Sequence, residues 1–258
     1  MNGLLLAIVF VGGAVAYAIG GVLLTRKYVH HHVAEGHNDV LVPLFLTAGV
    51  IYAVLLGFMV VAVWESYDAA HETAATEAAT LVPLYRQTSD MAPIPGAKMR
   101  AVIRQYAEYV VSDEWKSLET TGHASEKARK ASGDILRVYA TLSPINKIRE
   151  IIDAQFLSTY SDVLIERNKR LMQATESLSW VMWLGAIGGA VVVIGMSFII
   201  YMDNWWPHVL MVCVMSALIG MLLFMMAVLS RPFVGPLALE SAPFEASLKV
   251  FDDVDKGN

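Results

Sequence analysis

Few residues in this chain are arranged to make or break bonds. The sequence has no Gly-rich phosphate loop, no GxSxG turn, no HExxH pair and no paired cysteines, so nothing points to an enzyme or calls for a cofactor. Its one cysteine, Cys213, precludes an internal disulfide and a cysteine-based metal site. Two charged groupings remain. Glu65, Asp68 and Glu72 fall at i, i+3 and i+7, which stacks three carboxylates on one helix face. In an isolated chain this is a solvated acidic stripe. Around a symmetry axis the same stripe becomes rings of carboxylates, which concentrate and select cations. The second grouping is His30, His31, His32 and His37, interleaved with Glu35 and Asp39. Imidazoles and carboxylates this close can hold Zn or Cu, or respond to pH between about 5 and 8. The spacing matches no specific metal motif, and a polar loop at a membrane interface has the same composition.

The elements that must position these groups are set by where charge is missing. Of 258 residues, 56% are hydrophobic and 17% charged, and mean hydropathy is +0.51. The stretches 3–24, 41–64, 180–201 and 209–230 carry no charge at all. Each is longer than the roughly 20 apolar residues needed to cross a bilayer as a helix. The chain therefore reads as a four-span integral membrane protein, which excludes a secreted domain, a cytosolic enzyme and a disordered chain. A net charge of −5 and a pI of about 5.8 exclude a basic nucleic-acid-binding face. Small residues after the first apolar run resemble a signal-peptide end, but the leader Met1-Asn2-Gly3 lacks Lys and Arg, which favours an uncleaved anchor helix.

Four domains follow in order: 1–64 with spans one and two and the His-rich loop, a helical insert 65–179, spans three and four over 180–230, and a tail 231–258. The short loops carry only Arg26 and Lys27 among 19 basic residues. The positive-inside rule then puts the termini and the insert in the cytoplasm and the His-rich loop outside.

The insert reads as helix throughout. Ala and Glu dominate 65–78, and no Gly or Pro occurs from Trp64 until Pro83, so span two is expected to continue as one long rod. Met91-Ala-Pro-Ile-Pro-Gly96 is a break. Val102, Ile103, Tyr106, Tyr109 and Val110 mark a second helix ended by Gly122, and a third covers about 125–142. Ser143-Pro144 restarts the chain, and the apolar face from Ile148 to Leu171 is expected to run straight into span three. The tail is weakly amphipathic and is expected to pack first and fray after Val250. Nothing alternates with period two, so the fold class is all-α. Gly185 and Gly189, like Gly12, Ala16 and Gly20, allow close helix approach within the protomer or between subunits.

Certain runs resemble a known family. Leu55-Leu-Gly57-Phe58, Trp64-Glu-Ser-Tyr67, Leu84-Tyr85-Arg86 and, after span four, Arg231-Pro232-Phe233-Val-Gly235 are similar to the motifs of bacterial bestrophin-like membrane proteins (domain of unknown function 4239). The resemblance covers about residues 41–248. More distant similarity to bestrophins themselves implies a pentameric ion channel whose second span lines the pore. Their apolar neck ends in a Gly-Phe pair, so the resemblance places the gate here at Val50, Val54 and Phe58. The calcium-binding acidic cluster of animal bestrophins has no match, and Asp252, Asp253 and Asp255 do not replace it. Partners implied are membrane lipids, inorganic ions and further copies of the chain. The alternative is a non-conducting scaffold or accessory subunit of a larger membrane complex, which the mixed insert, with 14 basic and 16 acidic residues, fits equally well.

Overall fold

A computed structural model describes residues 3–28, 37–141 and 147–256, with side chains of 147–152 left aside. Among these residues there is helix and no strand. Helix α1 covers Gly3–Tyr28, with a π turn at Ile8–Gly12. Helix α2 is Asn38–Gln87, 50 residues without interruption, followed by a 3-10 turn at Thr88–Asp90. Helix α3 is Pro93–Tyr109, joined through a π turn at Val110–Glu114 to α4, Trp115–Thr121. Then come α5, Glu126–Ala140, and α6, Lys147–Thr175. Helices α7 (Trp180–Ser197), α8 (Trp205–Leu229) and α9 (Ala242–Lys256) complete the order. Helices α1, α2, α7 and α8 are long and apolar enough to cross a membrane.

The chain divides into two compact units. The first comprises Met1–Ser66 and Ser177–Ser230, the second Tyr67–Glu176 and Arg231–Asn258. In the first unit, contact is made where side chains are absent. A Cβ at Gly220 would lie 2.8 Å from the Phe10 carbonyl oxygen and 2.9 Å from the Val11 Cα, so α1 and α8 touch backbone to backbone. Gly189 makes room for the Tyr52 ring, whose hydroxyl donates to the Ala186 carbonyl at 2.9 Å. Gly21 does the same for Phe198. Gly20, by contrast, meets nothing within 4 Å. Without water to expel, van der Waals contact at small residues is what holds such helices together.

The second unit has an ordinary water-soluble core. Leu81 and Leu84 of α2, Ile103 of α3, Ile135 of α5, Phe156 of α6 and Phe244 of α9 are all fully buried in it. Gly122, at φ +71°, ends α4, and the Ser125 side chain caps α5 by accepting from the Lys127 amide at 3.2 Å.

Three expectations are corrected. Helix α6 does not run into span three: it stops at Thr175, and Ser179 caps a new helix by accepting from the Val181 amide. Serine oxygens next to a backbone amide compete with helix continuation, and this one wins. The tail does not fray after Val250. Helix α9 continues to Lys256 because Phe251 is fully buried, stacked on Tyr85 at 4.0 Å, and Asp252 and Asp255 pair with Arg104 at 2.7 and 2.9 Å. The break at 91–96 is also shorter. Only Met91 and Ala92 leave the helix, since Pro93 can open the next one without needing its missing N–H. The Ser143-Pro144 restart lies outside the described residues.

Candidate ion path and a buried charge network

Helix α2 buries one face and leaves the other bare. In the first unit Tyr52, Leu56, Met59 and Val63 are buried at steps of three and four. On the opposite side Val50, Val54 and Phe58 are 64%, 54% and 71% exposed. Glu65, about two turns beyond Phe58, is exposed as well. In the second unit the buried series is Ala70, Ala74, Glu77, Leu81 and Leu84, and Asp68 and Glu72 lie on the exposed side with Arg86. The structure thus places all six expected path residues on unpacked positions of one helix. Buried Arg167 meets Glu114, at 2.7 Å. Gly57 has open space around it.

That Glu114 belongs to a centre for which no role was foreseen. Arg170 grips Glu77 through Nε at 2.6 Å and Nη2 at 3.2 Å, and the same Nη2 reaches Glu114 at 2.6 Å. The Tyr106 hydroxyl donates to Glu77 at 2.5 Å. Glu77, Glu114 and Arg170 are completely buried. The Arg170 guanidinium lies 5.3 Å from the Trp115 ring centroid and 5.6 Å from that of Phe244, a cation–π contact with two rings that themselves meet edge to face. Two arginines against two carboxylates leave the cluster neutral, the condition under which buried charge is tolerated. Burial, reinforced by Glu77, pushes the Tyr106 phenol well above its ordinary range. For Arg170, burial alone would favour loss of the proton, but Glu77 and Glu114 outweigh it and hold the group above its usual value. The π turn contributes directly: its wider winding stacks residues four apart, so Val110 and Glu114 both face inward.

A signal for this centre was present in the sequence. Glu77 occupies the buried register of α2, and Tyr160, Val163, Arg167 and Arg170 follow one face of α6 at steps of three and four. Charges in an apolar register mark buried pairs.

The motif residues divide between the units. Trp64 is exposed. The Tyr67 hydroxyl donates to the Leu237 carbonyl at 2.9 Å, holding the segment that contains buried Pro232 and Phe233, and Gly235 takes φ +106°, which favours glycine. Arg231 is exposed. Tyr85 donates to Asp255 at 2.7 Å, and burial first, then Asp255, raises its phenol above the usual range. His37 opens α2 on an exposed turn, while His30, His31 and His32 lie outside the described residues. Among the described residues no group of three or more His, Cys, Asp or Glu side chains is placed to hold a metal. Two apolar clefts of about 340 and 270 Å³ lie in the first unit.

Four membrane-length helices, no strand among the described residues and a helical unit built on a buried ionic centre define a multi-span, all-helical membrane protein. The chain belongs to the bestrophin-like domain family, whose match extends over residues 12–244. Its fold is that of a bacterial bestrophin homologue from Klebsiella pneumoniae, with a TM-score of 0.68 at 15% identity over 96% of this chain and 98% of that one. Two single-residue variants of that homologue agree, with TM-scores of 0.68 and 0.66 at 15% and 14% identity, covering 99% and 96% of this chain and 99% and 98% of theirs. No curated protein shows significant sequence similarity.

Proposed function

We propose that the protein is an oligomeric ion channel of the bacterial inner membrane, a pentamer in which the exposed face of α2 lines an axial path. The observation that carries this reading is the bare stripe Val50, Val54, Phe58. A helix packed on one side by Tyr52, Leu56 and Met59 leaves its other side for something else to cover, and in a ring that side meets the axis. Apolar side chains there would gate by excluding water, a mechanism that needs no titratable group in the spans. Glu65, Asp68 and Glu72 would follow at one mouth, where rings of carboxylates within about 8 Å of the path escape screening and favour cations. Arg26 and Lys27 are the only basic residues of the short loops, which supports a cytoplasmic place for the termini and the second unit. The partners are then lipids, inorganic ions and copies of the chain, and no catalytic role is assigned.

Replacing Val54 and Phe58 together with Ala widens and wets the constriction. Liposomes holding the double variant are expected to leak ions severalfold faster than wild type, and the purified protein to show ring symmetry. Equal silence of both proteins under every gradient would favour the non-conducting scaffold.

A further inference from the structure

The exposed face of α2 changes sign along its length. Within the second unit it presents Asp68 and Glu72, then the uncharged Thr76, Ala79 and Pro83, then Arg86. Steps of three and four keep these residues on one side, opposite buried Ala74, Glu77, Leu81 and Leu84. Arg86 has no hydrogen-bond or ion-pair partner among the described residues. Arg100, Arg104, Arg129, Arg137, Arg167 and Arg170 of the same unit each meet a carboxylate. Distance explains why Arg86 does not pair with the acidic stripe, and exposed Asp90, four residues on in the 3-10 turn, makes no ion pair with it among the described residues. Glu72 and Arg86 are two full heptads apart, about 21 Å at the rise of an α-helix. That is more than twice the Debye length of about 8 Å at physiological salt, so neither charge screens the other and each sets its own ion atmosphere.

We infer that Arg86 forms a second, oppositely charged station on the path, and that the two stations in series make the current depend on its direction. The inference rests on the exposed face of α2 lining that path. Carboxylates enrich cations around Asp68 and Glu72, and the guanidinium enriches anions around Arg86. When the field drives cations from the Asp68 end toward the Arg86 end, anions move the opposite way. Both kinds then reach the neutral stretch from the side that concentrates them, the stretch fills, and conductance rises. Under the reverse field each kind must enter through the station that repels it, the stretch empties, and conductance falls. The competing account is an exposed arginine that is merely solvated, which predicts a symmetric current–voltage curve.

The test uses the full chain in planar bilayers with identical KCl solutions on both sides. At 0.15 M salt, wild type should pass about twofold or more current in one direction than in the other, because the Debye length then spans only one station. Arg86→Lys should keep that ratio, Arg86→Gln should bring it close to one, and raising salt to about 1 M, where the Debye length is about 3 Å, should erase it in wild type. A symmetric wild-type curve at 0.15 M, or an Arg86→Gln protein that rectifies like wild type, overturns the inference while leaving the ion path standing. No current in any variant, Val54→Ala/Phe58→Ala included, overturns the ion path and the inference with it.

Discussion

The two units solve the packing problem in opposite ways. In the first, the apolar residues that face outward are as large as those inside: Val50, Phe58 and Leu218 are exposed, while Leu56, Met59 and Leu223 are buried. Hydrophobicity therefore says nothing about which face packs; close approach is made at Gly21, Gly189 and Gly220, while Gly20 and Gly57 meet open space. In the second unit hydrophobicity marks the packed face well, as the amphipathic α5 shows with Ala128, Ala131 and Ile135 turned inward, and the exception is a charged centre in the core. Solvent makes the difference. Water sorts side chains by polarity, whereas lipid leaves only shape and hydrogen bonding to sort them. Each unit thus has its own point of greatest sensitivity.

The largest expected effect lies in the second unit. Glu77→Ala leaves Arg170 and Arg167 buried with one carboxylate between them, an imbalance that destabilises by about 3–5 kcal/mol. Chemical denaturation followed through Trp115 fluorescence should show the loss. Replacing Glu77 and Arg170 together with Gln and Met should recover much of it, since Arg167 and Glu114 then remain as a balanced pair. If Glu77→Ala alone unfolds no earlier than wild type, the centre does not organise this unit.

Next in size is the backbone contact of the first unit. Gly220→Ala forces α1 and α8 apart and should cost about 1–3 kcal/mol, read as faster proteolysis or a lower unfolding midpoint in detergent. Gly57→Ala, made where the Cβ meets open space, should be neutral in the same assay. Equal sensitivity at the two glycines would remove the argument that shape alone marks the packed face.

A smaller and pH-dependent effect belongs to Tyr106. Its phenol is raised in the folded protein, so the native state holds that proton more tightly than the unfolded chain does. The stability this provides is complete below the unfolded value of about 10 and declines as pH rises above it. Alkaline titration should therefore find wild type losing stability above about pH 10, with Tyr106→Phe losing less over the same window. Identical alkaline profiles would contradict the assignment.

How far this was legible in the sequence differs by unit. The four spans could be read directly, because an uncharged run of more than about 20 residues has the length and composition that a bilayer demands of a spanning helix. The uninterrupted α2 was legible from its Ala and Glu content and from the absence of Gly and Pro between Trp64 and Pro83. The end of α6 was not, because a short break at 176–179, closed by the Ser179 cap of the next helix, has no Gly or Pro to announce it. Nor was the order of α9, whose apolar residues are few and whose stability comes from Tyr85, Arg100 and Arg104, far away in sequence. The stripe Val50, Val54, Phe58 was named from family resemblance, since within an all-apolar span no periodicity singles it out. Glu77, Glu114 and Arg170 carried a periodic signal, but their pairing is a tertiary fact.

The central claim, that the exposed face of α2 carries ions, is tested most directly by reversal potentials under a KCl gradient for wild type and for Glu65→Gln/Asp68→Asn/Glu72→Gln. These three residues are exposed, so the triple variant is expected to fold and assemble as wild type does. Wild type should reverse on the potassium side of zero, and the variant should shift away from the potassium equilibrium potential as its cation preference falls several-fold. A cation-to-anion permeability ratio unchanged in the triple variant would contradict the account and take these carboxylates off the path.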